Sequence, residues 1–331
     1  MEVKGESMEP AIATSDLTCR YGRTEAVRGL TLTVEPGSIF ALLGPNGAGK
    51  TSTIRMLANI LRPSSGTATV LGVDSRRLGA SELATIGYVS ENQKLPTWMT
   101  VDELVAFCRP LYPSWDASLC RKLLADFDLP GGAKIATLSR GMRVKVALVS
   151  SLAYRPRLLM LDEPFSGLDP VVRDDLVRGV LELAGQEQWT VFVSSHDLDE
   201  VERLVDTVGF IDAGRLVLSE PFADLHARFR RVEVTLTADV GADLAPPAQT
   251  PSGLAPPGGP GTVTGPSPLP DTWIGVQQAG RLVRFVDTRY VEGETERRAR
   301  ELFLATGIEV QPMTLREIFV ALVRERREAR R

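Results

Sequence analysis

Cysteine and histidine are scarce in this chain, 3 and 2 in 331 residues. Cys19, Cys108 and Cys120 lie far apart and form no C-x-x-C pair, which excludes a disulfide framework and a cysteine-based zinc site. His196 and His226 are too few for a histidine metal cluster, and three scattered thiols fit a reducing compartment. Long hydrophobic runs are also missing. No stretch of about 18 apolar residues reads as a transmembrane helix, and the first residues lack the basic-then-apolar layout of a signal peptide. Charge of one sign is not in excess either. With a net charge of −4 the chain has no global electrostatic reason to bind nucleic acid or an anionic membrane. Its one basic run, residues 324–331, reads as a solvated helix end.

What the chain does have begins at residue 44. Gly44–Pro45–Asn46–Gly47–Ala48–Gly49–Lys50–Thr51 matches the spacing G-x-x-x-x-G-K-[ST], followed by Ser52. An apolar strand-like run, residues 38–43, precedes it, and helical spacing follows from Lys50. That order converges loop N–H groups and helix-start N–H groups on one point, which attracts an anion. Lys50 is expected to reach the β- and γ-phosphates of a nucleoside triphosphate, and the Thr51 hydroxyl to ligate Mg²⁺.

Residues 10–43 alternate apolar and polar positions with turns at 21–23 and 35–37, which predicts antiparallel strands. From Lys50 to His196 helical and strand patterns alternate, the mark of an α/β body around a largely parallel sheet. Between 99 and 137 strand signals vanish and helical periodicity takes over, broken by Pro110, Pro113 and Pro130. This predicts a helical insertion, about 91–137. After Phe229 the texture changes. A strand is expected at 231–240, a hairpin turning near Ala279–Gly280, and helices at 294–306 and 315–324, making a small α+β domain over 229–331. Inside it, residues 241–270 hold nine of the chain's 22 prolines and are expected to be disordered, as are residues 1–7. The first domain is expected to span 8–228.

Three further patterns sit at fixed order from the phosphate loop. The apolar run 158–161 ends in Asp162–Glu163, where a strand would deliver two carboxylates to its C-terminal edge. Asp162 suits the organisation of Mg²⁺, and Glu163 suits a general base toward water. Upstream lies Leu138–Ser139–Arg140–Gly141–Met142. Downstream come Ser166–Gly167–Leu168–Asp169 and a β-rich run ending in His196. Each alone has an ordinary reading, such as a serine cap on a helix or a turn after a strand.

Taken in order, these motifs resemble the nucleotide-binding subunits of ABC transporters over roughly residues 12–228, and more closely the bacterial exporter type. The resemblance implies a P-loop ABC ATPase fold: a mixed sheet core, an antiparallel β subdomain and a helical subdomain. It implies that Ser139 and Gly141, in a segment most often LSGGQ, contact the γ-phosphate held by the opposite protomer. His196 would be the switch histidine, and Tyr21 would stack on adenine. Where the family usually has a glutamine near the metal, this chain has Glu91, with Gln93 in reserve; Arg140 and Met142 also depart from the pattern. The implied ligands are ATP and Mg²⁺. The implied partners are a second ATPase chain, as homodimer or heterodimer, and a separate permease that would hold the subunit at the cytoplasmic face of the membrane, with no nucleic acid. The alternative class is a soluble ABC ATPase acting on ribosomes or chromosomes. Against it stand the single cassette, the lack of heptad coiled coil and the acidic balance.

Overall fold

A computed structural model describes residues 9–91, 93–202, 205–237, 269–303 and 305–328. The expectations for residues 1–7 and for 241–268 of the Pro/Gly-rich stretch lie outside the described residues. The chain divides into two compact units, one ending at Phe222 and one beginning at Ala223.

The first unit contains two sheets. A four-stranded antiparallel sheet runs in the order Thr24–Val34, Ile12–Tyr21, Ser65–Val70, Val73–Asp74. A six-stranded sheet runs in the order Arg215–Pro221, Thr207–Asp212, Ile39–Leu43, Thr190–Ser195, Leu158–Asp162, Ile86–Ser90. Its last five strands are parallel, and Arg215–Pro221 closes one edge antiparallel. The central strands read as continuous apolar runs because both faces are covered. Every residue of Leu158–Asp162 and of Thr190–Ser195 is buried. Phe40 and Phe192, on neighbouring strands, stack with ring centroids 5.3 Å apart.

Helices Val101–Cys108, Ala117–Asp126 and Arg140–Leu152 follow the apolar periodicity of their segments. Each starts at a residue suited to that place. Thr100 Oγ1 accepts from the Glu103 N–H while the Glu103 carboxylate accepts from the Thr100 N–H, a reciprocal cap. Asp116 caps the second helix through Ser118 N and Leu119 N, and Ser139 caps the third through Met142 N. Such caps satisfy orphan N–H groups that would otherwise lack partners.

The second unit is a four-stranded antiparallel sheet in the order Trp273–Ala279, Leu282–Asp287, Arg230–Leu236, Ala305–Pro312, with helices Glu294–Phe303 and Leu315–Glu328. The expected hairpin closes on Gly280–Arg281, with Ala279 paired to Leu282 and Gly280 at φ 58°. Its core gathers Val232, Val234, Trp273, Phe285 and Phe303. Asp287, 2% exposed, accepts from Trp273 Nε1 at 3.2 Å, Thr295 Oγ1 at 2.7 Å and Arg289 N at 2.9 Å, so the buried carboxylate is fully engaged. The strand Ala305–Pro312 had no counterpart in the sequence reading.

Candidate active site

Strand register builds the site. In the parallel sheet Leu43 pairs with Ser195, Asp162 with Ser194, and Ser90 with Asp162. The residues that follow these ends, Gly44, His196, Glu163 and Glu91, therefore emerge along one carboxyl edge, where open α/β sheets gather their ligands. A cavity of about 420 Å³ opens there, within the size range of small-ligand sites. Asn46, Gly47, Gly49, Lys50, Thr51, Ser52, Glu91, Glu163 and His196 line it, together with Ser166 of the Ser166–Asp169 run and with Ala26, which the sequence did not single out.

Lys50 is 5% exposed and its ammonium is fully engaged. Its Nζ donates to Gly44 O at 2.7 Å and Pro45 O at 3.1 Å, and lies 3.0 Å from Glu163 Oε1. The other Glu163 oxygen meets His196 Nδ1 at 2.7 Å. Glu163 adopts φ 52°, a left-handed conformation that costs a non-glycine residue roughly 1 kcal/mol and marks functional sites. That turn, held by Glu163 N donating to Ser194 O at 3.2 Å, aims the carboxylate between the lysine and the histidine.

Asp162, 3% exposed, accepts from Thr51 Oγ1 at 2.9 Å and Ser194 Oγ at 3.0 Å. Burial pushes its pKa up, and the two hydroxyl donors offset part of that rise. A carboxylate and a hydroxyl converging beside a phosphate loop are the hard oxygen donors that Mg²⁺ takes, so the donor set fits that ion. The cradle also fits an anion. Helix Lys50–Leu57 starts at the loop, its first N–H groups have no intrahelical acceptor, and Gly47, at φ 80°, leaves open space where a side chain would project.

Two of the loop glycines answer to the protein's own backbone. A Cβ on Gly44 would lie 2.2 Å from Ile211 O, and one on Gly49, at φ 109°, would lie 2.5 Å from Ala26 O. Gly44, Pro45 and Ala48 do not line the cavity: the first two supply carbonyls to Lys50, and Ala48 is buried with its carbonyl accepting from Gly214 N. Tyr21, half exposed, has its hydroxyl 3.4 Å from Ser52 Oγ. Ser139 and Gly141 are not among the cavity's lining residues. Ser139 Oγ accepts from Met142 N, which leaves its hydroxyl proton to donate, and Gly141 packs so tightly that a Cβ would sit 2.9 Å from Val172. Glu91 lines the cavity and pairs with Arg140, whereas Gln93 Oε1 accepts from Ser90 N at 3.4 Å. Ser194, the second donor to Asp162, was missed by the sequence reading; its place beside Asp162 depends on register that no local pattern reveals.

The model of the ABC transporter family matches residues 27–166. The bacitracin transport ATP-binding protein BcrA of Bacillus licheniformis is 34% identical, over 68% of this chain and 74% of its own length. The daunorubicin/doxorubicin resistance ATP-binding protein DrrA of Streptomyces peucetius is 39% identical, over 66% and 67%. Among solved structures, an ATP-binding subunit of an ABC transporter superposes with a TM-score of 0.59 at 25% identity, over 66% of this chain and 92% of that one. These relatives do not favour the ribosome- or chromosome-acting class. The chain belongs to the ABC transporter family, as an ATP-binding and ATP-hydrolysing subunit of the exporter type.

Proposed function

We propose that two copies of this subunit, or this subunit and a similar chain, close on ATP between them, with Lys50, Thr51, Asp162, Glu163 and His196 of one chain and Ser139 and Gly141 of the other completing each site. The observation that carries the reading is the hydrogen-bonded set Lys50–Glu163–His196 at the mouth of the phosphate cradle.

In this set Lys50 is already desolvated and aimed at the cradle. A triphosphate exchanges the Glu163 oxygen on Lys50 for phosphate oxygens, and Glu163, still hydrogen-bonded to His196, becomes a base directed at water. Glu163 then takes the proton of the attacking water as its oxygen bonds to the γ-phosphorus and the bond to the bridging oxygen breaks. Mg²⁺, held by Thr51 and Asp162, supplies polarisation of the phosphate oxygens when bound. Tyr21 offers its ring to adenine, with its hydroxyl near Ser52.

The membrane partner is argued from a second surface of the same unit. An apolar cavity of about 370 Å³, lined by residues including Leu83, Tyr88, Leu95, Leu104 and Tyr112, adjoins the Glu91 loop. Trp98 is 74% exposed, and Phe107 and Leu111 are more than half exposed. An exposed apolar patch of this kind marks a docking site, and the occupant proposed is a cytoplasmic helix of the permease, which holds the subunit at that membrane face. No helix among the described residues is long and apolar enough to cross a membrane. The relatives named for bacitracin and for daunorubicin/doxorubicin serve different cargoes, so the choice of cargo is assigned to the permease.

The test is Glu163→Gln. With Mg²⁺ and ATP this variant is expected to run as a stable dimer on size exclusion and to lose hydrolysis by at least ~10²-fold, a typical effect of removing a general base. A monomer with unchanged turnover removes Glu163 from the mechanism.

A further inference from the structure

Two residues depart from the pattern the family leads one to expect: a carboxylate at 91 in place of an amide, and Arg140 in the segment Leu138–Met142. They are 49 positions apart in sequence, and they meet. Arg140 Nη2 donates to Glu91 Oε1 at 2.6 Å. Arg140 is the first residue of the helix Arg140–Leu152, and Glu91 follows the strand Ile86–Ser90, its N–H donating to Asp162 O at 2.9 Å. The guanidinium also lies against Gly167, at φ 66°, where a Cβ would come within 3.0 Å of Arg140 Nη1. A single cation is thus gripped between the Glu91 loop and the turn that follows the catalytic carboxylates.

Stability does not explain the pair. The side chains are 31% and 47% exposed, and pairs this open contribute little to folding. Electrostatics does. Glu91 and Glu163 both line the cavity, and Asp162 lies one residue before Glu163, so three carboxylates border a site for a polyanion. Lys50 answers Glu163 and hydroxyls answer Asp162; among the described residues Arg140 is the cation paired with Glu91.

We propose that Arg140 is a positioning residue for the ATPase reaction: it neutralises Glu91 and pins its loop to the turn at Gly167. The cavity then keeps the charge balance that an amide at 91 would give it, and the loop beside the permease groove is tied to the start of the Arg140 helix within one chain. The two departures compensate each other: Arg140 reversed alone leaves Glu91 unneutralised beside the polyanion and is harmful, and both reversed together are tolerated. This inference rests on the functional reading above.

The experiment compares the full chain with Arg140→Gln, Arg140→Lys, Glu91→Gln and the double variant Glu91→Gln/Arg140→Gln, by direct MgATP binding and by steady-state hydrolysis. Arg140→Gln keeps the side-chain stem and removes the charge. It is expected to weaken MgATP binding and raise KM about tenfold, the scale of one uncompensated charge nearby, with a smaller change in kcat. Added salt narrows that gap by screening. Arg140→Lys retains most of the affinity, and adding Glu91→Gln to Arg140→Gln restores binding to within about threefold. An unaltered Arg140→Gln, or a defect that Glu91→Gln does not rescue, overturns the proposal while leaving the ATPase reading intact. A wild-type chain that neither binds nor hydrolyses MgATP overturns both.

Discussion

Lys50 carries two duties that a substitution separates. In the structure it neutralises Glu163, whose side chain is 12% exposed, and in the proposed reaction it holds phosphate. Lys50→Ala is expected to abolish ATP binding and also to lower folding stability by about 3 kcal/mol, because a nearly buried carboxylate loses its cation. Chemical denaturation of the nucleotide-free variant checks the second effect. Asp162 runs the other way. Its folded pKa is raised by burial, so the ionised form is disfavoured in the fold; that penalty is present at neutral pH and relieved as pH falls through the folded pKa. Asp162→Asn is expected to leave the nucleotide-free thermal midpoint unchanged or a few degrees higher at pH 7, with the gain fading toward acid pH, while Mg²⁺-dependent nucleotide binding is lost. Of these residues the sequence announced the types and spacing. It did not announce why Gly44 and Gly49 are glycines, since their close neighbours Ile211 O and Ala26 O come from far along the chain. Gly49→Ala puts a Cβ 2.5 Å from that carbonyl in a positive-φ conformation and is expected to destabilise the unit by several kcal/mol even without nucleotide.

At the scale of elements, the strand ends do the assembling. Leu43, Asp162 and Ser195 end adjacent parallel strands, and the sequence shows each as an apolar run stopping at a polar residue, so the edge was legible once a parallel sheet was inferred. The strands Ser65–Val70 and Val73–Asp74 were not placed by that inference. Ser65–Val70 pairs antiparallel with Ile12–Tyr21, some 50 residues upstream, Val73–Asp74 pairs antiparallel with Ser65–Val70, and nothing local distinguishes them from members of the parallel sheet. Ala305–Pro312 is hidden for a related reason: it comes soon after helix Glu294–Phe303, its alternation is short, and the helical spacing of the sequence runs on to Thr306. In the same unit Asp287 ties strand Leu282–Asp287 to Trp273 and to Thr295 of that helix. Asp287→Ala leaves a buried indole N–H and a hydroxyl without acceptors and is expected to cost about 2–4 kcal/mol. Hydrogen exchange of the strand and helix amides in the second unit reads that loss directly.

For the whole molecule, one chain supplies a cradle lined by Lys50, Glu163 and His196 but brings neither Ser139 nor Gly141 to it. On the proposed reading a second chain completes the site, and the apolar cavity lined by residues including Leu83, Tyr88 and Leu104 takes the membrane partner. Trp98→Glu, at a residue 74% exposed, is expected to keep the thermal midpoint within a few degrees and to lose association with the membrane protein. The central claim, an ATPase that works through a separately encoded permease, is tested most directly by purifying the chain from its native membranes in mild detergent and identifying what accompanies it. The account expects a polytopic membrane protein in stoichiometric amount. Recovery only from the soluble fraction, with ribosomes or DNA in its place, would contradict it.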